Sequence, residues 1–433
     1  MKKNIKIGNL QFAIQKRRHL STLPIAICKL FIACCLLLTT HCQFASAQTT
    51  ISLKAATNMA LQNNLSLKNE KIKAVYQQQL IKTAKVLPPT NVFTELGQIN
   101  SFYIDTKFGI AQTFSTPKVY TSQKNMLTEE WKSSALLVNI KEVELTKQVA
   151  LHYYQLLYLH EKKKLLLKID SVFAEFLTKS ILRFNTGESN VLEKATAENH
   201  RGEIGLQLSQ LQQDMELLQL QFQLLLNSNN VYVPDEKEFK MKIIAQIDTS
   251  FLQAHPAIQF NKQQHQIAVA ATQVEKSMLL PNINLGYNIM SMRGSGADNK
   301  TYNTVPRFQS IQLGLGIPLF NTGQKEKISA AQTKEKITNN EYELNLKNFE
   351  MAYKSSLLNL KKYDEAVTYF EKTAIKNATL IINTANKQFL NGDINFLEWG
   401  FLMNQATNIH NSYLDALLSR NNSLVEINYF INL

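Results

Sequence analysis

Turn-forming residues are scarce in this chain, with 14 Gly and 9 Pro in 433 residues. Few elements must therefore be long, because Gly and Pro are the strongest punctuators of local structure. Residues 118–186 contain neither, and residues 324–391 contain neither. Cysteine is scarcer, and Cys28, Cys34, Cys35 and Cys42 all precede position 43. Beyond that point there is no thiol for a disulfide, a thiolate metal site or a Cys nucleophile. No apolar run reaches the ~18 residues that a membrane-spanning helix requires. A Gly-rich phosphate loop, an HExxH pair and a Gly-x-Ser-x-Gly elbow are missing too, which removes the commonest sequence signs of catalysis. His160, His200, His255, His265 and His410 form no i, i+4 pair, and His152 falls on a heptad core position, where hydrogen-bonded packing is expected. The chain is expected to be no enzyme, with no catalytic residue, no cofactor and no metal site.

What is present begins with the compartment. Residues 1–47 hold seven Lys and Arg and no acid, then the apolar run Leu30 to Leu38, then Ala45-Ser46-Ala47. Basic, then apolar, then small-x-small is the order of a cleaved secretory signal peptide. Removing it lowers the formal net charge from +13 to +6, so the basic composition gives no reason to expect nucleic-acid binding. Cys42 follows Thr39, Thr40 and His41 rather than the small residues a lipidation signal wants directly before its Cys.

The chain then says one thing twice. Phe184-x-x-Gly187-x-x-Asn190-x-Leu192-Glu193 recurs as Phe389-x-x-Gly392-x-x-Asn395-x-Leu397-Glu398, an offset of 205 positions. Each copy follows one of the runs that lack Gly and Pro, so the repeat consists of two large units. Tyr342, Leu346, Phe349, Tyr353, Ser356, Leu360, Tyr363, Val367, Phe370 and Ala374 step by 4 and 3, as do Leu145, Val149, His152, Leu156 and Leu159. A 3.5-residue period belongs to helices that supercoil on a partner. At ~1.5 Å per residue each run makes a helix of roughly 100 Å. Leu211, Met215, Leu218, Phe222 and Leu225 resume the step after the first motif. Gly187 and Gly392 then end one helix with positive φ, and Asn190 and Asn395 cap the next. Two long helical hairpins are expected.

Strands are expected just upstream of each long helix. Ile283, Leu285, Tyr287 and Ile289 alternate with Asn282, Asn284, Gly286 and Asn288, and Ile311, Leu313, Leu315, Ile317 and Leu319 alternate with small or polar residues. One apolar and one polar face over ~9–11 residues fits an outer-membrane strand between lipid and a water-filled lumen. These strands are placed at about 282–293 and 308–320, with Gly294 to Pro306 as an exposed loop. A weaker pair is placed at about 91–115: Asn91 to Tyr103, a short turn near Asp105, then an alternation through Phe108, Ile110 and Phe114, with Glu95 and Gln98 blurring the pattern. Leu87-Pro88 and Leu280-Pro281 mark the same helix-to-strand junction in both halves. Four strands cannot close a pore, since open edges in lipid leave backbone groups unpaired, so the sheet requires other copies of the chain.

These residues resemble the outer-membrane efflux protein family, the TolC-like outer-membrane factors. The resemblance runs from Ile51 to the C-terminus and is carried by Leu280-Pro281-Asn282-Ile283, by Gly316-Ile317-Pro318-Leu319-Phe320-Asn321-Thr322-Gly323, and by the duplicated hairpin turns. Gln112-Thr113-Phe114-Ser115 departs from the Pro-Leu-Phe-Asn pattern in the first half. The family implies a mainly α fold with a β-barrel portion: two tandem repeats, each a strand pair plus a coiled helical hairpin, three copies forming a twelve-stranded outer-membrane barrel and a periplasmic helical tunnel. On that basis residues 48–228 form the first repeat (hairpin turn 184–193), 229–250 the linker around the tunnel's middle, and 251–433 the second repeat (turn 389–398). The implied partners are two further copies in a homotrimer, outer-membrane lipid, a periplasmic adaptor and an inner-membrane pump. The adaptor-contacting tips are Phe184, Gly187, Asn190, Leu192 and Glu193 with Phe389, Gly392, Asn395, Leu397 and Glu398, and Asp393 and Glu398 are the periplasmic gate candidates. The expected function is the passive exit duct of a tripartite efflux system. A duct for type I protein secretion fits the same residues, and a secreted coiled-coil stalk without a pore fits the heptads but not the alternating strands.

Overall fold

A computed structural model describes residues 49–99, 102–235, 239–241 and 250–431. The expected signal peptide, Cys42 and half of the 229–250 linker lie outside the described residues. Those described fall in two compact units. In the small one the Thr49 amide donates to the Val231 carbonyl at 3.2 Å. The large one comprises Ile51–Asn229 and Pro234–Leu433.

Eight helices make up most of the large unit: α1 Leu53–Asn63, α2 Leu65–Leu80, α3 Pro117–Asn185, α4 Val191–Leu226, α5 Pro256–Ser277, α6 Thr322–Tyr369, α7 Ile375–Asn391 and α8 Phe396–Ile431. The two runs without Gly or Pro are helical throughout, α3 being 69 residues long. The second run is not one unbroken α-helix, because Phe370–Ala374 is a π-helical turn between α6 and α7. Glu371 in that turn is held by Lys240 at 2.8 Å and by the Tyr413 hydroxyl at 3.3 Å. The heptad positions face inward: Leu145, Val149, Leu156, Tyr353 and Val367 are buried. His152 is only half-buried, its Nδ1 beside the Gln148 carbonyl of its own helix at 2.9 Å. Tyr153, next in the chain, is the buried group at this level, donating to the Ile51 carbonyl at 3.1 Å. The bulkier ring takes the interior because it carries more apolar area to hide.

Helix ends follow local chemistry. Ser52 and Asn64 accept amide protons of the first turns of α1 and α2. Residues 239–241 run beside α8, where Asn421 donates to the Phe239 carbonyl at 2.6 Å and Arg420 to the Met241 carbonyl at 2.8 Å.

His255 caps α5 in its neutral form. Its Nδ1 accepts from the Ala257 amide at 3.2 Å, which leaves Nε2–H to donate to the Tyr429 carbonyl at 3.1 Å. Burial pushes this imidazole down to about 4 from 6.5, and the Tyr429 carbonyl only partly opposes the shift. The unfolded chain takes up this proton near pH 6.5 and the folded chain only near pH 4. Stability should therefore fall as pH drops from about 6.5 to about 4, and this imidazole should add no pH dependence outside that window. Melting of the detergent-solubilised protein at pH 7.5, 5.5 and 4.5 checks this, and His255→Asn, which keeps a capping oxygen, should flatten the dependence.

Four strands form one antiparallel sheet in the order β1 Asn91–Gly97, β2 Asp105–Phe114, β3 Asn282–Met290, β4 Phe308–Gly316. The two repeats thus contribute a hairpin each and join through β2 and β3, with Ile110 opposite Tyr287 and Phe114 opposite Ile283. Boundaries differ from the sequence expectation in four places. First, β1 stops at Gly97 rather than Tyr103, because Gln98 donates to the Phe102 carbonyl at 2.8 Å and turns the chain. Asp105 opens β2 instead of lying in a turn. Buried, it accepts from the Arg293 amide at 2.9 Å and the Ser291 hydroxyl at 3.3 Å, which ends β3 short of 293. Finally, β4 ends at Gly316, since Pro318 has no N–H to continue a ladder. The loop expected between them carries its own small ribbon, Gly294–Ser295 with Thr301–Tyr302.

Candidate functional site

The sheet sorts its side chains by face. Val92, Ile110, Tyr287 and Ile311 stand in one row across the four strands, and Leu285 with Leu313 and Ile283 with Leu315 extend it. All of these are exposed, Val92 and Ile311 by more than three-quarters. On the opposite face Asn284 sits between Thr113 and Gly314, and Asn288 between Gly109 and Ser310. Glu95, which blurs the sequence pattern, belongs to that polar face: it lies opposite Lys107, 3.1 Å away. An exposed apolar face backed by a polar one suits a sheet between lipid and water. No helix of the described residues is long and apolar enough to cross a membrane. Among the described residues β1 and β4 each leave one edge unpaired, a liability unless another strand covers it.

All four strand ends on one side of the sheet lead into helices, and the hairpins end in the two repeated turns. Gly187 has φ +77° and Gly392 φ +82°, values open to Gly at no steric cost. The Glu188 amide reaches back to the Arg183 carbonyl at 2.9 Å, and the Asp393 amide to the Gln388 carbonyl at 2.8 Å, closing both helices in the same way. Asn190 accepts the Glu193 amide and Asn395 the Glu398 amide, both at 3.0 Å.

Beyond these caps the duplicated turns diverge. Glu398 completes a capping box by accepting the Asn395 amide at 3.1 Å. Glu193 instead accepts from Arg183 at 3.2 Å and from the Ser189 hydroxyl. Phe389 is buried whereas Phe184 is more than a third exposed, with Lys194 over its ring at 5.3 Å. Leu192 and Leu397 are both exposed. Asp393 stands exposed in a cleft of about 580 Å³ that Lys179, Arg183 and Glu398 also line.

Behind the turns lies a group the repeat did not reveal. Trp399 is fully buried, stacked on Phe176 at 3.6 Å between ring centres and edge-on to Phe173 at 5.2 Å, and its indole N–H donates to Asn386 at 2.8 Å. Ala197 and Ile204 of α4, Phe389 of α7 and Phe396 of α8 close the same core. It locks the two hairpins together next to their turns. The only sequence sign of it was a Trp in a chain that has two.

No family model matches the chain, and no curated protein matches it in sequence. Solved structures do match. A membrane protein of Pseudomonas aeruginosa superposes with a TM-score of 0.76 at 14% identity, covering 89% of this chain and 91% of that one. The CmeC outer membrane channel of Campylobacter jejuni gives 0.73 at 15% identity over 88% and 85%. The chain has the TolC-like outer-membrane-factor fold. The open state of the Neisseria gonorrhoeae MtrE outer membrane channel agrees, with a TM-score of 0.70 at 15% identity over 88% of each chain. Coverage this high takes in both repeats, so the outer-membrane-factor fold accounts for the sheet and both hairpins together. At such low identity the likeness lies in the fold and extends to no particular side chain.

Proposed function

We propose that the chain is the outer-membrane exit duct of a tripartite efflux system and catalyses no reaction. The observation that carries this is a single sheet, polar on one face and apolar on the other, with both edges open among the described residues and every strand joined to a helix on one side, β2 and β4 leading into the two long hairpins. Three copies joined β1 to β4 supply twelve strands, an even number within the range of closed outer-membrane barrels. Closure satisfies the edge N–H and C=O groups that lipid cannot. The similar solved channels support an outer-membrane location with the hairpins in the periplasm. Substrate then passes down a gradient through the polar lumen, and the turns at 184–193 and 389–398 meet an adaptor that couples the duct to an inner-membrane pump.

Light scattering and gel mobility of the purified protein in detergent, unheated and boiled, test the reading. The expected result is a species of about three chain masses that dissociates on heating. A monomer soluble without detergent refutes the duct and leaves a coiled stalk.

In this duct Asp393 is the gate residue. Glu398 is held in its capping box, while the exposed Asp393 carboxylate has no fixed cap to make and carries negative charge at the tip. Asp393→Lys should leave trimers intact and shift single-channel selectivity away from cations, with Asp393→Ala intermediate. Unchanged conductance and selectivity in both variants would remove Asp393 from the gate.

A further inference from the structure

Two features at the helix side of the sheet are unexplained by the fold of one chain. Phe320, four residues beyond the end of β4, is fully exposed. A cavity of about 410 Å³ lies between the segment before β1 and the start of α3, lined by Lys85, Leu87, Pro117, Tyr120, Thr121 and Lys124. The first is a large ring that its own chain leaves uncovered, and the second is a cavity with largely apolar walls.

We propose that Phe320 of one copy fills this cavity on the next copy around the ring, setting the register of the β4-to-β1 junction. The inference rests on the closed ring of the proposed duct and adds the contact that aligns it. Chain direction alternates through β1, β2, β3 and β4, so a β4 edge laid antiparallel on a neighbouring β1 edge brings their helix-side ends together. Leu87 lies four residues before Asn91, and Phe320 lies four residues after Gly316. At ~3.3 Å per extended residue both lie at most roughly 13 Å beyond the strand ends, the chain after β4 turning where the Leu319 amide donates to the Ile317 carbonyl at 2.9 Å, so ring and cavity fall on the same helix side of the junction.

The chemistry of the cavity suits an aromatic ring. Leu87, Pro117 and the lysine stems supply apolar wall, and the Tyr120 hydroxyl is turned away to accept the Ser115 amide at 3.1 Å. Lys85 and Lys124 form no ion pair among the described residues, so both ammonium groups are available to lie against the face of a seated ring. A contact of this kind is useful because strand alternation alone tolerates slips by two residues, whereas a ring in a hole tolerates none.

Cysteine pairs test it, with single-cysteine variants and a reduced lane reporting any contribution from the native thiols. The full-length double variant Phe320→Cys with Thr121→Cys, oxidised in the membrane and boiled without reductant, should run as a covalent ladder up to three chains, and neither single variant should. Phe320→Ala should speed subunit exchange in detergent by about tenfold or more per interface, since exposing a Phe that had been buried is of that order, and Phe320→Leu should restore part of the loss. Intact trimers by light scattering with no ladder, and with exchange unchanged in Phe320→Ala, overturn the proposal and assign Phe320 to lipid. A chain that is monomeric without any substitution fails the duct reading itself, a separate outcome.

Discussion

Leu313→Arg should abolish assembly of the protein in the outer membrane, while Gln312→Arg, one residue away, should be tolerated. Leu313 lies opposite Leu285 on the apolar face and is three-quarters exposed, and Gln312 lies opposite Gly286 on the polar face. Arg facing lipid near the bilayer midplane costs about 2–4 kcal/mol. In the proposed ring of three copies that cost would be incurred three times, enough to overcome marginal stability. A guanidinium over Gly286 on the lumen side stays hydrated and mainly changes selectivity. Heat-modifiable trimer recovered from outer-membrane fractions is the measurement. Equal yields for the two variants would show that the faces do not divide lipid from water, and with that the duct reading would fail.

Trp399→Ala is expected to be the most destabilising single change near the turns. Its indole is fully buried, stacks on Phe176 and donates to Asn386. Truncation leaves a large cavity and an unpaired amide oxygen, costing about 3–5 kcal/mol. Phe173 and Phe176 of α3 and Phe389 of α7 all pack on this ring, and Phe176 also meets Phe389 directly at 4.8 Å between ring centres, so the loss is local to the tips. Hydrogen exchange should accelerate over residues 385–403 and 173–180 by a hundredfold or more, while the sheet stays protected. Trp399→Phe, which keeps most of the apolar area, should fall in between. Uniform acceleration over the whole chain, or none, would show that the aromatic core does not hold the tips.

Much of the site was legible because it is made of local chemistry. Gly187 and Gly392 adopt positive φ and Asn190 and Asn395 cap the following helices, since a helix end must satisfy its own backbone groups whatever surrounds it. Alternation of apolar and polar residues likewise assigned the faces of β3 and β4. Less legible was the asymmetry between the copies. Phe184 and Phe389 occupy matching motif positions, yet only Phe389 is buried, because Trp399 and Phe176 stand beside it, whereas Phe184 has Lys194 over its ring and no aromatic neighbour among the described residues. The capping Glu shows the same divergence: Arg183 beside Glu193 draws that carboxylate away from the reciprocal bond that Glu398 makes. Asp105 was misplaced because a charged residue between two strands reads as a turn, whereas its carboxylate is satisfied by Ser291 and Arg293, which are nearly two hundred residues away.

By itself the sequence determined element type and polarity: two helical runs without a Gly or Pro, a 3.5-residue apolar step, two hairpin turns and strands with one greasy face. Each follows from interactions within a few residues, where spacing alone sets which groups can meet. Tertiary structure alone decided that the strand pairs of the two halves join into one sheet through β2 and β3, that Trp399 welds the hairpins at their tips, and that a fully exposed Phe320 and an empty cavity are left at opposite edges of the same sheet. Those are contacts between residues far apart in the chain. A side-chain period states which face is buried but not which partner buries it, so they become visible only once the backbone has been folded.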